Sequence, residues 1–300
     1  MRARTSPWSL GGLSLRELGA RLWNELWQDE VLDRAAALAY YFLFAMFPAL
    51  LFLATLFGLL PGPQLLDQLM GYAARVLPPE AATVVQKTLD QIVSGAGKGL
   101  LSVGALVALW GGSSGMVSTM TALNVAYGVT DNRPWWKRRL IALGLTLGCS
   151  ILVLLGLLLI VVGPRIGSMM AGFLSVGGIF TRAWSVISIS IAMFLALVVI
   201  ALVYYFAPAV EQDWRWLTPG SAVCLFLWLA ISVVLRVYVT RVIDYNAAYG
   251  SIGGVILLVL WLYLSSVVLL LGAEINSEIE HAAAQQGEPS AKSEGERRAA

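Results

Sequence analysis

The chain has 300 residues, of which 58% are hydrophobic and 13% charged, about half the charged share of a soluble domain. That composition excludes an ordinary soluble globular protein, and the long apolar blocks are those of a polytopic membrane protein. The net charge of +2 says little, and with one histidine and two cysteines no Ser-His-Asp, Cys-His, zinc or P-loop signature appears.

Met1–Arg34 carries arginines but no apolar block, so no cleavable signal peptide is expected. Within it, Leu15, Leu18, Leu22, Trp23, Leu26 and Trp27 form a helical stripe, and Ser14 with Glu17 fits a capping box. Such a helix lies in the membrane interface or packs under the bundle; a helix with no lipid role is the plainer alternative. The first span is expected over residues 35–60, with Pro48 predicting a kink near Phe44 because proline removes a backbone donor and crowds the preceding turn. Residues 61–99 read as two short amphipathic helices, a hairpin over the outer mouth of the bundle.

The second span covers residues 100–127, and its middle is Trp110-Gly111-Gly112-Ser113-Ser114-Gly115. Gly111 and Gly115 have the GxxxG spacing that lets helix backbones approach closely. The alternative is a locally unwound helix lining a polar cavity, where irregular backbone is tolerated in a bilayer. The loop Asp131–Arg139 (DNRPWWKRR) is basic and Trp-rich, as at a membrane interface. Further spans are expected over 140–162, 183–206 (ended by Pro208), 219–239 (carrying Arg236) and 251–273, with an outer loop over 164–182. Cys149 and Cys224 lie inside these blocks and read as small packing residues. The tail from Ala282 has no apolar face and reads as disordered.

The expected architecture is therefore all-α: six transmembrane helices, an N-terminal interfacial helix and a periplasmic amphipathic hairpin. Lys and Arg concentrate at both ends and in the loops after the second and fourth spans, which places both termini in the cytoplasm. The echo of Asn124–Gly128 (NVAYG) in Asn246–Gly250 (NAAYG) falls at unequal positions and marks no inverted repeat.

The most distinctive stretch is Tyr245–Glu280. It enters through Tyr249-Gly250-Ser251, runs uncharged through Trp261-Leu262-Tyr263 to Ala273, and stops at Glu274-Ile275-Asn276. Together with Asp33-Arg34-Ala35-Ala36-Ala37, Tyr40-Tyr41-Phe42 and Pro48, it resembles the YihY/BrkB family of bacterial inner-membrane proteins, over Asp33 to about Glu280. The resemblance implies an inner-membrane protein; some members are linked to virulence or serum resistance, some to envelope lipid handling, and older ones carry the label ribonuclease BN. The residues point away from a nuclease. Metal-assisted RNA cleavage needs clustered carboxylates or histidines, and here the acids are scattered and His281 stands alone. Glu278-x-x-His281 is half of a di-iron pattern whose second half is missing. No enzyme activity, metal, cofactor or nucleic-acid partner is expected.

Candidate functional residues gather at the predicted cytoplasmic ends of the spans: Asp33, Arg34, Asn124, Tyr127, Pro208, Glu274 and Asn276. Charges beside lipid are costly unless paired or hydrated, which predicts a polar network pairing Arg34 with Glu274, or Asp33 with a loop arginine. Read functionally, this is an inner gate around a cavity lined by Tyr40, Tyr41 and Gly111–Ser114, with Pro48, Gly115, Tyr249, Gly250 and Ser251 as hinge or cavity positions. Read structurally, it is helix capping and snorkelling. Two functions follow, a translocator or exporter of a lipid or other amphiphile and a non-transporting scaffold for envelope assembly. The partners expected are membrane lipids, and either a second copy of the chain or an envelope-assembly protein.

Overall fold

The computed structural model describes residues 7–58, 71, 82–83, 86–87, 100–174, 178–210, 218–241 and 250–287, and among them all regular structure is helical. Seven α-helices follow a short 3-10 turn: α1 Leu15–Gln28, α2 Val31–Gly58, α3 Leu100–Ala126, α4 Trp135–Leu174, α5 Gly178–Phe206, α6 Pro219–Arg241 and α7 Gly250–Gln285. The hairpin expected over 61–99 lies outside the described residues apart from Gly71, Ala82, Thr83, Gln86 and Lys87, and so does Tyr249.

Helix α1 starts where its capping box predicts. The Glu17 N–H donates to Ser14 Oγ at 3.2 Å and the Ser14 N–H to Glu17 Oε2 at 2.9 Å, satisfying two of the helix's orphan donors. Its inner face packs Leu18 on Ile275 and Ile279 of α7. Trp23 and Trp27 face outward, each 62% exposed, the division an amphipathic interfacial helix requires.

Among the described residues, four helical stretches are long and apolar enough to cross a membrane: Trp135–Ile160, Phe180–Phe206, Pro219–Val239 and Gly253–Gln285. The last has 33 residues, about 50 Å at 1.5 Å each, whereas a bilayer core takes about 30 Å. Its apolar part ends at Ala273, and Glu274–Gln285 projects beyond. Helices α2 and α3 complete the bundle. α2 runs unbroken through Pro48, and α3 runs unbroken through Gly111–Gly115, so the unwound alternative does not apply there. Gly115 instead faces Phe42 and Ala45 of α2, and Gly112 faces Thr146 of α4.

The expected outer loop over 164–182 is a correction. Helix α4 continues through Pro164 to Leu174, and α5 begins at Gly178. Proline is tolerated inside a membrane helix when neighbours make up for what it removes. The carbonyl that Pro164 leaves without its helical donor is that of Ile160, four residues back; beside it Gly163 and Gly167 bare the α4 backbone, Trp184 of α5 lies against both, and its Nε1 donates to the Gly163 carbonyl at 2.7 Å, tying α4 to α5. The tail is also shorter than expected, because α7 stays helical to Gln285.

The core lies at the end of the bundle where the chain enters and leaves it, here called the terminal end. Val31, Ala35 and Leu38 of α2 meet Met120, Leu123 and Ala126 of α3, Ala142 and Leu145 of α4, Val203 and Tyr204 of α5, and Val268 and Ala273 of α7. α6 and α7 are tied by a reciprocal exchange. Trp228 Nε1 donates to Ser265 Oγ and Trp261 Nε1 to Ser232 Oγ, both at 3.1 Å, while each serine donates to the tryptophan carbonyl four residues before it on its own helix, Ser232 to Trp228 and Ser265 to Trp261. Lower down, Gly220 and Gly272 bring the two backbones into direct contact.

Candidate functional site

The polar residues singled out above fall into three hydrogen-bonded groups. The first lies between α1 and α7. Glu274, only 2% exposed, is placed by α7 against α1, where Asp29, its hydrogen-bond partner, Glu25 and Glu278 surround it with acid. Burial first, then the charges of Asp29, Glu25 and Glu278, push its carboxyl up to about 9. It is therefore held protonated at neutral pH. One turn on, Glu278 is fastened by Arg21 at 3.5 Å and by His281 Nδ1 at 3.4 Å. A polar cavity of about 300 Å³ opens beside them, lined by Arg21, Asn24, Glu25 and Gln28 of α1 and Glu278, His281 and Gln285 of α7.

The expected pairing of Arg34 with Glu274 is not what the chain makes. Arg34 Nε donates to the backbone carbonyl of Asp29 at 2.8 Å, satisfying the end of α1 locally, and it is the Asp29 side chain that meets Glu274. Asp33 is exposed and has no ion pair among the described residues. Asn276 acts as a cap from another helix: its Oδ1 accepts the Gly220 N–H at 2.9 Å, a donor left open in the first turn of α6.

The second site is a clamp. Asn124, buried at the end of α3, donates to Asp131 Oδ2 at 3.2 Å and accepts the Ala209 N–H at 2.6 Å. Arg133 grips Asp131 through Nε at 2.8 Å and NH2 at 3.1 Å, and gives a further bond to the Ala207 carbonyl at 2.9 Å. Pro208 thus sits between two fixed residues, and the loop after α3 is bolted to the end of α5. Burial works to raise the Asp131 carboxyl, but the bonds from Arg133 and the charges of Arg133 and Arg138 outweigh it and hold it below the usual range. Tyr127 is buried beside this clamp in the core. Sequence reasoning counted Arg133 only as an interfacial charge. The Asp131-x-Arg133 spacing was the available signal.

The third site is a polar stripe on the seam of α3 and α4. Ser114, Ser118 and Thr121 follow one another at helical spacing along α3. Arg138 NH2 donates to Thr121 Oγ1 at 2.6 Å. Arg139 reaches the other end, donating to Ser114 Oγ at 3.2 Å and to the Trp110 carbonyl at 3.1 Å, with its guanidinium 3.8 Å from the Trp110 ring centre. Trp110, 61% exposed, and Thr121 are open at the seam, whereas Ser114, Ser118, Arg138 and Arg139 are half-buried in it. Ser113 is buried instead and bonds its own helix at the Trp110 carbonyl. Gly111 is half-buried in the same turn. Tyr40 and Tyr41 do not join the stripe. They present their rings outward, 57% and 42% exposed, with Tyr40 packed on both Tyr41 and Phe44. Pro48, Gly250 and Ser251 are helical, and their side-chain surroundings lie outside the described residues.

The comparisons with known proteins agree with this architecture. The family model described as Virulence factor BrkB matches residues 22–296. The ribonuclease-like protein YfkH of Bacillus subtilis is 35% identical over 245 residues, 82% of this chain and 88% of that protein. A UPF0761 membrane protein of Stenotrophomonas maltophilia is 27% identical over 275 residues, 87% of this chain but 60% of that longer protein. No solved structure matches. With the family model covering nearly the whole chain and its helices built to lie in lipid, this protein belongs to the BrkB family of membrane proteins.

Proposed function

We propose that the protein is a six-span inner-membrane protein with both termini in the cytoplasm, and that it translocates or exports a lipid or other amphiphile for the cell envelope. The observation that carries this reading is the half-buried polar seam of Arg138, Thr121, Ser118, Ser114 and Arg139 between α3 and α4. Polar side chains on a lipid-facing seam are costly, and they offer a headgroup partners along a path its tails can follow in the bilayer. The lysine and arginine bias orients the terminal end inward. The reading is of a non-enzyme; the ribonuclease-like name belongs to the Bacillus protein, and among the described residues no group of three or more potential ligands is placed to hold a metal.

The test is reconstitution into vesicles carrying fluorescent phospholipids, with an impermeant reductant bleaching the outer leaflet. A translocator lowers the protected fraction below that of protein-free vesicles for at least one headgroup. Protection equal to the empty vesicles for every headgroup, with and without a pH gradient or membrane potential, would remove the reading. The second function, a scaffold for envelope assembly, draws on the exposed Trp23 and Trp27 face of α1 and would then take precedence.

A further inference from the structure

Two half-buried arginines at this end of the chain's helices, Arg34 and Arg139, bond to neutral acceptors alone, and of the two Arg139 lies on the seam of α3 and α4. Asp131, the carboxylate of its loop, is taken by Arg133 and lies 3.9 Å from Arg138. Among the described residues no carboxylate is within ion-pair distance of Arg139. Its hydrogen bonds go to neutral acceptors alone, Ser114 Oγ and the Trp110 carbonyl. Neutral acceptors orient a guanidinium but leave its full charge in place, and a guanidinium has five N–H donors to satisfy. Three hydrogen bonds are made from the two terminal nitrogens, which between them carry four hydrogens.

The surroundings specify what completes it. Arg139 lies within the apolar stretch Trp135–Ile160, only about 6 Å along the axis from Trp135. From there its side chain runs along the seam to Ser114 and Trp110, about 18 and 24 Å along the axis from the terminal end of α3, so a phosphate reaches it by coming down the seam from the headgroup layer. Trp135 shares a helical face with Arg139 at i, i+4, and Trp110, Trp135, Trp136 and Leu140 are all exposed around it. Trp135 and Trp136, at the start of α4, stand where tryptophans anchor at the headgroup boundary and keep an indole N–H to donate.

We propose that Arg139, laid over Trp110 and oriented by Ser114, is a seat for the phosphate of an anionic phospholipid in the leaflet at the terminal end. The Trp110 ring holds the guanidinium by a cation–π contact, the lipid phosphate supplies the missing negative charge through charge-assisted bonds, and its acyl chains lie along the exposed apolar side of α4. The seat serves a scaffold as well as a translocator, so its test reads binding and not movement.

The experiment is native mass spectrometry of the full-length protein in mild detergent, titrated with phosphatidylglycerol and with phosphatidylcholine. The parent protein is expected to retain one phosphatidylglycerol with about a tenfold preference, the ratio of a single charge-assisted contact. Arg139→Gln is expected to bring the preference to near unity, and Lys137→Gln, which removes an exposed charge next to the seat, is expected to leave it intact. Preference kept in Arg139→Gln, or lost equally in Lys137→Gln, would overturn the seat in favour of a diffuse basic surface. Displacement of the lipid by millimolar inorganic phosphate would overturn it in favour of a free-anion site. If Arg139→Gln does not fold, Trp110→Phe decides: a several-fold weaker preference supports the seat and an unchanged one refutes it.

Discussion

Gly272 is the position where a single methyl group should do the most damage. A Cβ there meets the Tyr204 hydroxyl, the Gly220 carbonyl at 2.7 Å and the Cys224 Cβ at 2.9 Å, separations that real side chains do not hold. None of these can swing aside. The Gly220 oxygen is backbone, and the Tyr204 hydroxyl is fixed by its bond to the Leu269 carbonyl at 2.6 Å. α6 and α7 must therefore part. Overpacking against rigid neighbours costs about 3 kcal/mol. Weakening the Tyr204–Leu269 and Asn276–Gly220 bonds adds about 0.6 kcal/mol each, which roughly offsets the ~1 kcal/mol of helix propensity gained by alanine over glycine. Gly272→Ala should lose about 3 kcal/mol, a fall of roughly 6–12 °C in melting temperature for a domain of this size. Cys149 and Cys224 are both free and buried, so a thiol-reactive fluorogenic dye reports the unfolding directly. Gly144→Ala is the control, because nothing lies within 4 Å of its added Cβ. A Gly272→Ala protein melting within about 1 °C of that control would refute the close approach of α6 and α7.

Two further predictions concern buried charge, and their pH windows have opposite signs. Asp131→Asn leaves Arg133 without its anion in a poorly solvated clamp and should cost about 3 kcal/mol. Because the Asp131 carboxyl is held below its ordinary value, its contribution is complete at neutral pH and is lost as pH falls through the folded value. The parent's melting temperature should sag in acid where Asp131→Asn is already low and flat; identical acid profiles would count against the clamp. Glu274 behaves in reverse: raised from 4.5 to about 9, it stabilises fully below about 4.5 and loses that contribution as pH rises towards 9. Glu274→Gln keeps the neutral shape and should flatten the alkaline decline, and an unchanged slope from pH 5 to 9 would show that Glu274 is not held protonated.

Much of this was legible along the chain. The apolar runs announce the long helices by length alone, and Ser14 with Glu17 announces the start of α1. Proline and glycine misled where their effect is tertiary. Pro164 reads as a helix end in isolation, yet α4 passes through it, and Trp184, twenty residues on, packs on Gly163 and Gly167 beside it. Opposite charge misled in the same way at Arg34. It looked like the partner of Glu274, but a backbone carbonyl five residues away at Asp29 claimed its Nε first, and Glu274 was left facing acid.

What the sequence determined by itself was whatever depends on neighbours within a few turns: helix type, apolar length, the cap of α1 and the sum of charges at each end. Those follow from hydrophobic transfer and local hydrogen bonding, which act within a segment. Only the tertiary structure decided which charges are paired, which glycines touch backbone and which arginines bond to neutral acceptors alone. Pairing is settled by competition among groups far apart in the chain. The polar residues of this bundle accordingly divide into an acid cluster around Glu274, the Asp131–Arg133 clamp and the Arg139 seam, a division that no spacing along the chain records.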